Sequence, residues 1–418
     1  MTPARRQALR LIGRYGTIWG RFQRLSHGCV KVGTVTRTSA DYLRLVLAHA
    51  RRCDMKRDAM PGSVVKGSIM PKTSPGNFFE DFRVGQVIRH ATPRTVTTGD
   101  VALYNGLFGP RFAVQSSDVF ATAIGYLRAP IDDLLVFHIV FGKTVPDVSL
   151  NAVANLGYAG CYFRRPVFPG DTLSALSEVI GLKENSSRKT GIVYVRTTGY
   201  NQDGAPVLEY VRWVMVRKRD EAAPAPGDHV PRLPTVLDPK VLSEACPPID
   251  VPAYDFALAG SPYRFGDYDV GERIDHVDGV TVEEAEHMTA TRLYQNTARI
   301  HFNQYIEGKG RFGRRLIYGG HVISIARSLS FNGFANAFHV AAINGGRHVA
   351  PLFAGGTVFA WSEVLAKSEL PGRSDVGALR LRTIATRDRP CADFPLKSGD
   401  DYDPAILLDL DYWVLMPR

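Results

Sequence analysis

One stretch of the sequence contains residues that together could support acid–base chemistry on a carbonyl compound. Asn296 and His301 lie five residues apart, and the pair Gly319-Gly320 precedes an apolar run at 321–329. Histidine exchanges protons near neutral pH because its ordinary pKa is about 6.5. The first amides of a helix that begins at the glycine pair would lack intrahelical acceptors and could stabilise a developing oxyanion. This layout is typical of a hydratase that acts on a thioester.

Each of these residues also has a structural interpretation. His301 is predicted to be the general acid/base, although it could instead pack against a strand end. A carboxamide does not titrate near neutrality, so Asn296 is predicted to position the attacking water rather than to turn the chain. The Gly319 N–H is predicted to bind the thioester oxygen, although the glycine pair could serve only close packing of a strand against a helix.

Basic residues are concentrated around this stretch. An arginine binds a carboxylate with two parallel hydrogen bonds, so the cluster suggests a substrate with a distal carboxylate. The alternative is a solvated charged face. Within the cluster of Arg299, Arg311, Arg314 and Arg315, we predict substrate contacts from Arg299, Arg311 and Arg315, together with Tyr318.

The composition excludes several classes of protein. The chain has 418 residues, 45% of them hydrophobic and 22% charged, which indicates a water-soluble protein of two domains. The sequence has no run of about 18 apolar residues, which is the length that a membrane span requires. The five cysteines are scattered and form no CxxC motif, so we expect a reduced, cytoplasmic protein with no metal or redox cofactor.

The net charge of +10 lies in the first part of the chain. Residues 1–69 contain 14 Lys/Arg and 3 Asp/Glu, so the remaining residues are close to neutral. We therefore expect no nucleic-acid partner. The basic leader 1–69 is predicted to be upstream or disordered sequence, although an Arg-rich targeting peptide or a polyanion-binding arm has the same composition.

The rest of the chain contains an internal repeat. Residues 81–90 and 267–276 share Asp, Val, Gly, Ile and His at an offset of 186, and 166–178 matches 351–363 at an offset of 185. Two internal sequence matches at nearly the same offset indicate a duplicated fold. The predicted organisation is the leader 1–69, a first domain 76–220, a Pro-rich linker 221–256 and a second domain 257–418.

Each copy is predicted to have one apolar helix followed by antiparallel strands. Alternating apolar and polar residues with short turns between them are typical of such strands. The predicted helices are 142–155 and 321–329; the predicted strands are 158–167, 172–182, 191–202 and 206–217, then 357–365, 376–387 and 405–415. One long helix per sheet predicts an α+β domain in which the sheet wraps around the helix.

The catalytic stretch resembles the motif of MaoC-like hydratases, a family of the hot-dog fold. That family has a motif close to D-x-N-P-x-H, then A-H-G at the start of the central helix. Here the matching residues are Asn296-Thr-Ala-Arg-Ile-His301 and Ile317-Tyr-Gly319. The resemblance covers about 76–418 and implies a double hot-dog. Pro110-Arg-Phe-Ala-Val-Gln115 occupies the motif position of the first copy, so that copy is expected to be non-catalytic.

The stretches F-F-E-D-F-R-V-G-Q and Y-Q-N-T-A-R-I-H-F-N-Q are similar to the mesaconyl-CoA hydratase branch of this family. That resemblance implies a hydro-lyase that reversibly hydrates 2-methylfumaryl-CoA to a 3-methylmalyl-CoA, with CoA only as part of the substrate. We also expect a homodimer. The alternatives are an (R)-specific enoyl-CoA hydratase for ordinary acyl chains, a non-catalytic acyl-CoA-binding protein and, least of all, a thioesterase.

Deletion of residues 1–69 should leave both folding and activity intact, because the repeat begins after them. Circular dichroism and turnover of the truncated protein measure this, and a truncated chain that does not fold would refute it.

Overall fold

The computed structural model describes residues 72–418, so the basic leader 1–69 lies outside the described range. The helices in this range are α1 Thr98–Phe108, α2 Ala113–Ser116, α3 Asp118–Ala123, α4 Asp133–Thr144, α5 Pro239–Ala245, α6 Phe256–Ala259, α7 Glu284–Leu293, α8 Arg299–Phe302, α9 Gln304–Glu307, α10 Gly319–Leu329 and α11 Phe331–Phe334. The strands are β1 Val87–Thr95, β2 Ala152–Phe163, β3 Thr172–Glu184, β4 Thr190–Tyr200, β5 Pro206–Arg217, β6 Arg273–Thr281, β7 His339–His348, β8 Thr357–Leu370, β9 Arg373–Arg387, β10 Lys397–Ser398, β11 Asp401–Tyr402 and β12 Ile406–Pro417.

Ten of these strands form one antiparallel sheet in the order β1-β3-β4-β5-β2-β7-β12-β9-β8-β6. Each copy contributes five strands, which confirms the duplicated α+β architecture. The five strands of each copy meet where β2 pairs with β7, so the sheet is continuous from one copy to the other. Strand β7 was missing from the sequence prediction of the second copy, because its short apolar run ends in Gly-Gly and resembles a loop.

A pseudo-twofold axis relates the two copies and passes through two contacts. Residues at equivalent positions can contact each other only on such an axis. Ala159 of β2 is paired with Gly345 of β7, and these residues are 186 apart in the sequence. His138 of α4 and Ser324 of α10 are also 186 apart, and His138 Nε2 lies 2.9 Å from Ser324 Oγ. The axis therefore runs through the sheet and between the central helices.

Both copies retain the same buried polar chain. In each copy a histidine, a serine and a threonine are hydrogen-bonded in series, at distances of 2.7–2.8 Å: His90, Ser177 and Thr197 in the first copy, and His276, Ser362 and Thr383 in the second. Buried polar groups are satisfied within the protein because leaving them unpaired is costly. The histidine echo in the sequence is therefore structural in both copies.

The predicted helix of the first copy was wrong. The helix is α4, Asp133–Thr144, followed by a π-helical turn at Val145–Ser149, and the predicted 142–155 overlaps that turn and the start of β2. All residues from 134 to 144 are buried. A helix enclosed on every side has no polar face, so its sequence lacks helical periodicity. In the second copy, α10 contains the predicted 321–329 and begins two residues earlier.

The connector 221–256 is a packed segment rather than a free tether. It contains α5, whose Leu242 is buried in a hydrophobic cluster with Trp413 and Leu415 of β12. The same cluster includes Val251 and Tyr254. The connector therefore covers part of the sheet.

Gly142 of α4 packs against the segment of the second copy that carries Asn296. A Cβ atom at this position would lie 1.9 Å from the Tyr294 carbonyl oxygen and 3.3 Å from the Asn296 nitrogen. Only glycine lets the first copy's helix approach the segment that carries Asn296.

We therefore expect Gly142→Ala to lower the free energy of unfolding by about 1–3 kcal/mol, the usual cost of overpacking, and to reduce activity. The matched control is Gly106→Ala in α1, where a Cβ meets no atom within 4 Å. That change should raise stability by about 0.5–1 kcal/mol, because alanine is the better helix former. Urea unfolding measures both, and a neutral Gly142→Ala would contradict the contact.

Candidate active site

A chain reversal at the end of α7 places Asn296. Gln295 adopts a left-handed conformation, with φ of 54°, and the Asn296 N–H donates to the Thr291 carbonyl at 2.9 Å. The side chain of Asn296 is buried, and its Oδ1 accepts the N–H of Ala298 at 3.1 Å. That bond orders the turn into α8, so Asn296 fixes the chain and also presents its amide nitrogen.

His301 is held on α8 in one tautomer. Its Nδ1 lies 2.9 Å from the Leu316 carbonyl oxygen, which can only accept, so Nδ1 carries the proton. Nε2 has no hydrogen-bond partner within residues 72–418 and retains its lone pair. Burial lowers the pKa of His301 to about 4, and the Leu316 bond opposes this shift. The ring is therefore a neutral base at physiological pH.

The N-terminus of α10 supplies two free amide donors. Tyr318 is the residue before the helix, and its N–H donates to His287 Nε2 at 2.9 Å. The N–H groups of Gly319 and Gly320 donate to no acceptor in the described part of the chain. A Cβ at position 319 would lie 2.3 Å from the ring of His348. Glycine is therefore required there for the histidine to lie against the helix terminus.

Aromatic and imidazole rings connect the base to this helix terminus. The Tyr318 ring lies 5.4 Å from the His301 ring, centroid to centroid, and the His287 ring lies 5.9 Å from it. Burial and then the proximity of His301 lower the pKa of His348 to about 4. The structure thus brings His301, Tyr318 and Gly319 into one site.

A cavity of about 520 Å³ reaches Asn296 and has walls from both copies. Its second-copy lining includes Asn296, Thr297 and Phe302, and its first-copy lining includes Lys143 of α4. Lys143 Nζ donates to the Thr92 carbonyl at 2.6 Å, and burial, with Arg94 nearby, lowers its pKa to about 8. The volume is in the usual range for a small-molecule site.

The three predicted substrate arginines have different surroundings in the structure. Arg299 is half-buried and has no acidic partner within 4.0 Å in the range 72–418. Arg311 is exposed, with its guanidinium 5.2 Å from the ring of Phe312. Arg315 forms an ion pair with Glu284 at 2.7 Å. Their roles toward a substrate stay predictions.

The corresponding place in the first copy is occupied by the protein's own side chains. Gln115 occupies the position of His301 on the short helix α2 and donates to the Phe338 carbonyl at 2.7 Å. At the N-terminus of α4, Asp133 occupies the position of Gly319. Its carboxylate accepts the Val340 N–H at 2.9 Å and lies 3.0 Å from His339 Nδ1. A carboxylate therefore lies at this helix terminus, where the second copy has a glycine.

Three residues of the site were missed by the sequence reasoning. His287 and His348 come from α7 and β7, and Lys143 comes from the other copy. None of them belongs to a local motif. The only sequence signal that bears on these residues is the internal repeat, because it predicts that the two central helices lie together.

Comparison with known proteins agrees with this geometry. Residues 70–401 match the family model described as mesaconyl-CoA hydratase. The chain belongs to the mesaconyl-CoA hydratase family. It is a hydro-lyase of the MaoC-like type, and no helix in its described part is both long and apolar enough to cross a membrane.

Two relatives are similar over nearly their whole length. The chain is 65% identical to the β-methylmalyl-CoA dehydratase of Chloroflexus aurantiacus, over 83% of this chain and 99% of the relative. It is 59% identical to the mesaconyl-CoA hydratase of Cereibacter sphaeroides, over 83% of this chain and 100% of the relative.

Solved structures confirm the double hot-dog fold. A MaoC domain protein dehydratase from Chloroflexus aurantiacus superposes with a TM-score of 0.81 at 64% identity, covering 84% of this chain and 99% of that one. A Mycobacterium tuberculosis protein with a double hot-dog fold superposes with a TM-score of 0.67 at 24% identity, covering 82% of this chain and 98% of that one.

The depressed pKa of His301 predicts the pH dependence of the free enzyme. As the predicted base, His301 acts in its neutral form, so activity should be lost as the pH falls through the folded-state pKa, which is about 4. The acid limb of kcat/KM should therefore lie well below pH 6.5. Incubation at each pH followed by assay at pH 7 separates titration from unfolding. A reversible limb near pH 6.5 would contradict the buried, neutral assignment.

Proposed function

We propose that the site around His301 catalyses the reversible hydration of mesaconyl-CoA, which is 2-methylfumaryl-CoA, to β-methylmalyl-CoA. The observation that carries this proposal concerns groups that have no hydrogen-bond partner among residues 72–418: Nε2 of the neutral His301 imidazole, and the Gly319 and Gly320 amides at the helix terminus. The identity of 65% and 59% with two proteins named for this reaction supports the substrate.

Hydration begins with the activation of water. His301 Nε2 takes a proton from the water as its oxygen bonds to C3, the carbon that bears the distal carboxylate. Asn296 does not titrate, and its Nδ2 is free to donate a hydrogen bond to the incoming oxygen. We assign Asn296 to positioning this oxygen and His301 to proton transfer.

The electron pair of the double bond then moves toward the thioester oxygen. The N–H groups of Gly319 and Gly320 are directed at that oxygen in our assignment, and the positive end of the α10 dipole adds to their effect. The imidazolium of His301 returns the proton to C2, which completes the addition of one water molecule. Dehydration follows the same steps in reverse, and no free CoA is released.

The cavity beside Asn296 is our candidate for the CoA arm. Lys143 and Arg292 give it a positive lining that suits the phosphates of CoA. We also expect a cytoplasmic homodimer, an expectation that rests on the family resemblance. Light scattering on the purified protein tests the assembly state.

Mutagenesis of equivalent positions in the two copies tests which copy is catalytic. His301→Ala should lower kcat for mesaconyl-CoA by about 10²- to 10⁴-fold, the usual contribution of a positioned acid–base group. Gln115→Ala, at the equivalent position of the first copy, should stay within a few-fold of wild type. The assay follows loss of the absorbance of the conjugated double bond, with a thiol reagent to detect free CoA.

Two results would contradict the proposal. Wild-type protein that leaves mesaconyl-CoA unchanged would exclude the reaction, and rapid thiol release would indicate a thioesterase. Equal losses in folded His301→Ala and Gln115→Ala would exclude the second copy as the catalytic one.

A further inference from the structure

Arg212 is a buried cation with no anionic partner in the part of the chain that the structure describes. It lies in the middle of β5, opposite Tyr158 of β2, and its side chain is 0% exposed. Its Nη2 donates to Thr144 Oγ1 at 2.7 Å and to Ser149 Oγ at 3.3 Å. The Nε and Nη1 atoms are buried and have no hydrogen-bond partner within residues 72–418. An arginine stays charged in a protein, so this arrangement leaves two charged donors unsatisfied.

The guanidinium lies close to the catalytic helix terminus. Its Cζ is 4.2 Å from the centroid of the Phe141 ring, and that ring is 5.7 Å from the ring of Tyr318. Tyr318 directly precedes Gly319, the proposed oxyanion donor. One aromatic ring therefore separates Arg212 from the residue that begins the site.

The fold itself does not require an arginine at this position. Arg212 lies opposite Val195 in the first copy, and Tyr412 lies opposite Leu381 in the second. Val195 and Leu381 are 186 apart, so Arg212 and Tyr412 are structural equivalents. The second copy builds the same sheet with an uncharged residue there.

The second copy has its own buried arginine, on the helix instead of the strand. Arg327 of α10 occupies the position of Phe141, 186 residues later. Its guanidinium donates to Ser330 Oγ and to the Ala337 carbonyl, and it lies near enough to Asp132 and Asp133, at the start of α4, to interact with their charges. Burial raises the pKa of Asp132 to about 6, with Asp133 adding to the rise and Arg327 opposing it.

The two helix termini also differ in the charge that they carry. Each has a buried arginine contributed by the opposite copy. The silent terminus carries the carboxylates of Asp132 and Asp133, whereas the catalytic terminus has Tyr318 and Gly319 at the equivalent positions and no carboxylate. The missing component is an anion that the substrate can supply.

We propose that Arg212, supplied by the silent copy, binds the distal carboxylate of the C5 acyl group and so selects dicarboxylic over simple enoyl thioesters. This inference rests on the proposed function. It assigns specificity to a residue outside the basic cluster around Arg299, Arg311 and Arg315. The carboxylate completes the hydrogen bonds of Nε and Nη1, in the bidentate geometry that guanidinium favours.

The test compares two substrates of nearly one shape. Mesaconyl-CoA carries a carboxylate where (E)-2-methylbut-2-enoyl-CoA carries a methyl group. Arg212→Met should lower kcat/KM for mesaconyl-CoA by at least about 30-fold, as expected for removal of one partner of a buried charge pair. It should leave kcat/KM for the methyl analogue within a few-fold or raise it. Arg196→Met, on the neighbouring strand and half-exposed, is the matched control and should change neither.

Stability gives a readout that a purely structural role would not produce. Removing a buried cation with two unsatisfied donors should leave Tm equal to wild type or higher, because a hydrophobic side chain of similar volume is often better tolerated there. If Arg212→Met does not fold, Arg212→Gln keeps an amide donor for Thr144 and takes its place in the kinetic comparison.

The outcomes separate the inference from the proposed function. Wild-type protein that does not hydrate mesaconyl-CoA would remove the proposed function itself. Active wild type with equal losses on both substrates in folded Arg212→Met, or with no loss on mesaconyl-CoA, would overturn only the role of Arg212. A changed ratio of the two kcat/KM values with Tm maintained supports it.

Discussion

A buried hydrogen-bond cluster at the pseudo-twofold axis joins the two copies into one enzyme. Ser324 Oγ of α10 lies 2.9 Å from both the Tyr104 hydroxyl oxygen and His138 Nε2 of α4. Burial lowers the pKa of His138 to about 3, so its ring is neutral. These contacts fix α4 beside α10, and Gly142 of α4 then packs directly under the carbonyl of Tyr294. The position of Asn296 thus depends on a helix of the opposite copy.

The same arrangement supports our proposal that only the second copy is catalytic. At the first copy's helix terminus, Asp133 replaces the oxyanion glycine and is satisfied by His339 and the Val340 N–H. Filling one terminus with an internal carboxylate stabilises that end of the pseudo-dimer without a ligand. At the other terminus Gly319 has no side chain, and the ring of His348 lies where a Cβ atom would be. The silent copy still contributes Lys143 to the cavity and, in our proposal, Arg212 to specificity.

Local sequence patterns predicted the second copy better than the first. The helix α10 has one apolar face and begins with the glycine pair, so its position could be predicted from periodicity. The helix α4 is buried on all sides, and its apolar run carries no such signal. Residue type and spacing also predicted His301 and Asn296 as site residues. The roles of His287 and His348 could not be predicted, because they depend on contacts between segments that are far apart in the chain.

The arginines also show what cannot be predicted from the sequence. A sequence shows where charges are dense, and the segment 311–315 is dense in arginine. It does not show which guanidinium is buried without a partner. Arg315 is neutralised by Glu284, whereas Arg212, isolated in a strand among apolar residues, has two unsatisfied donors. Burial and pairing arise from tertiary structure, so they become visible only when the strands and helices are assembled.

The most direct test of a single composite site is a crystal structure of His301→Ala with mesaconyl-CoA bound. We expect one acyl group per chain, with its thioester oxygen within hydrogen-bond distance of the Gly319 or Gly320 nitrogen and its carbon chain between α4 and α10. An acyl group at the N-terminus of α4 beside Asp133, or a thioester oxygen that contacts neither glycine amide, would contradict it.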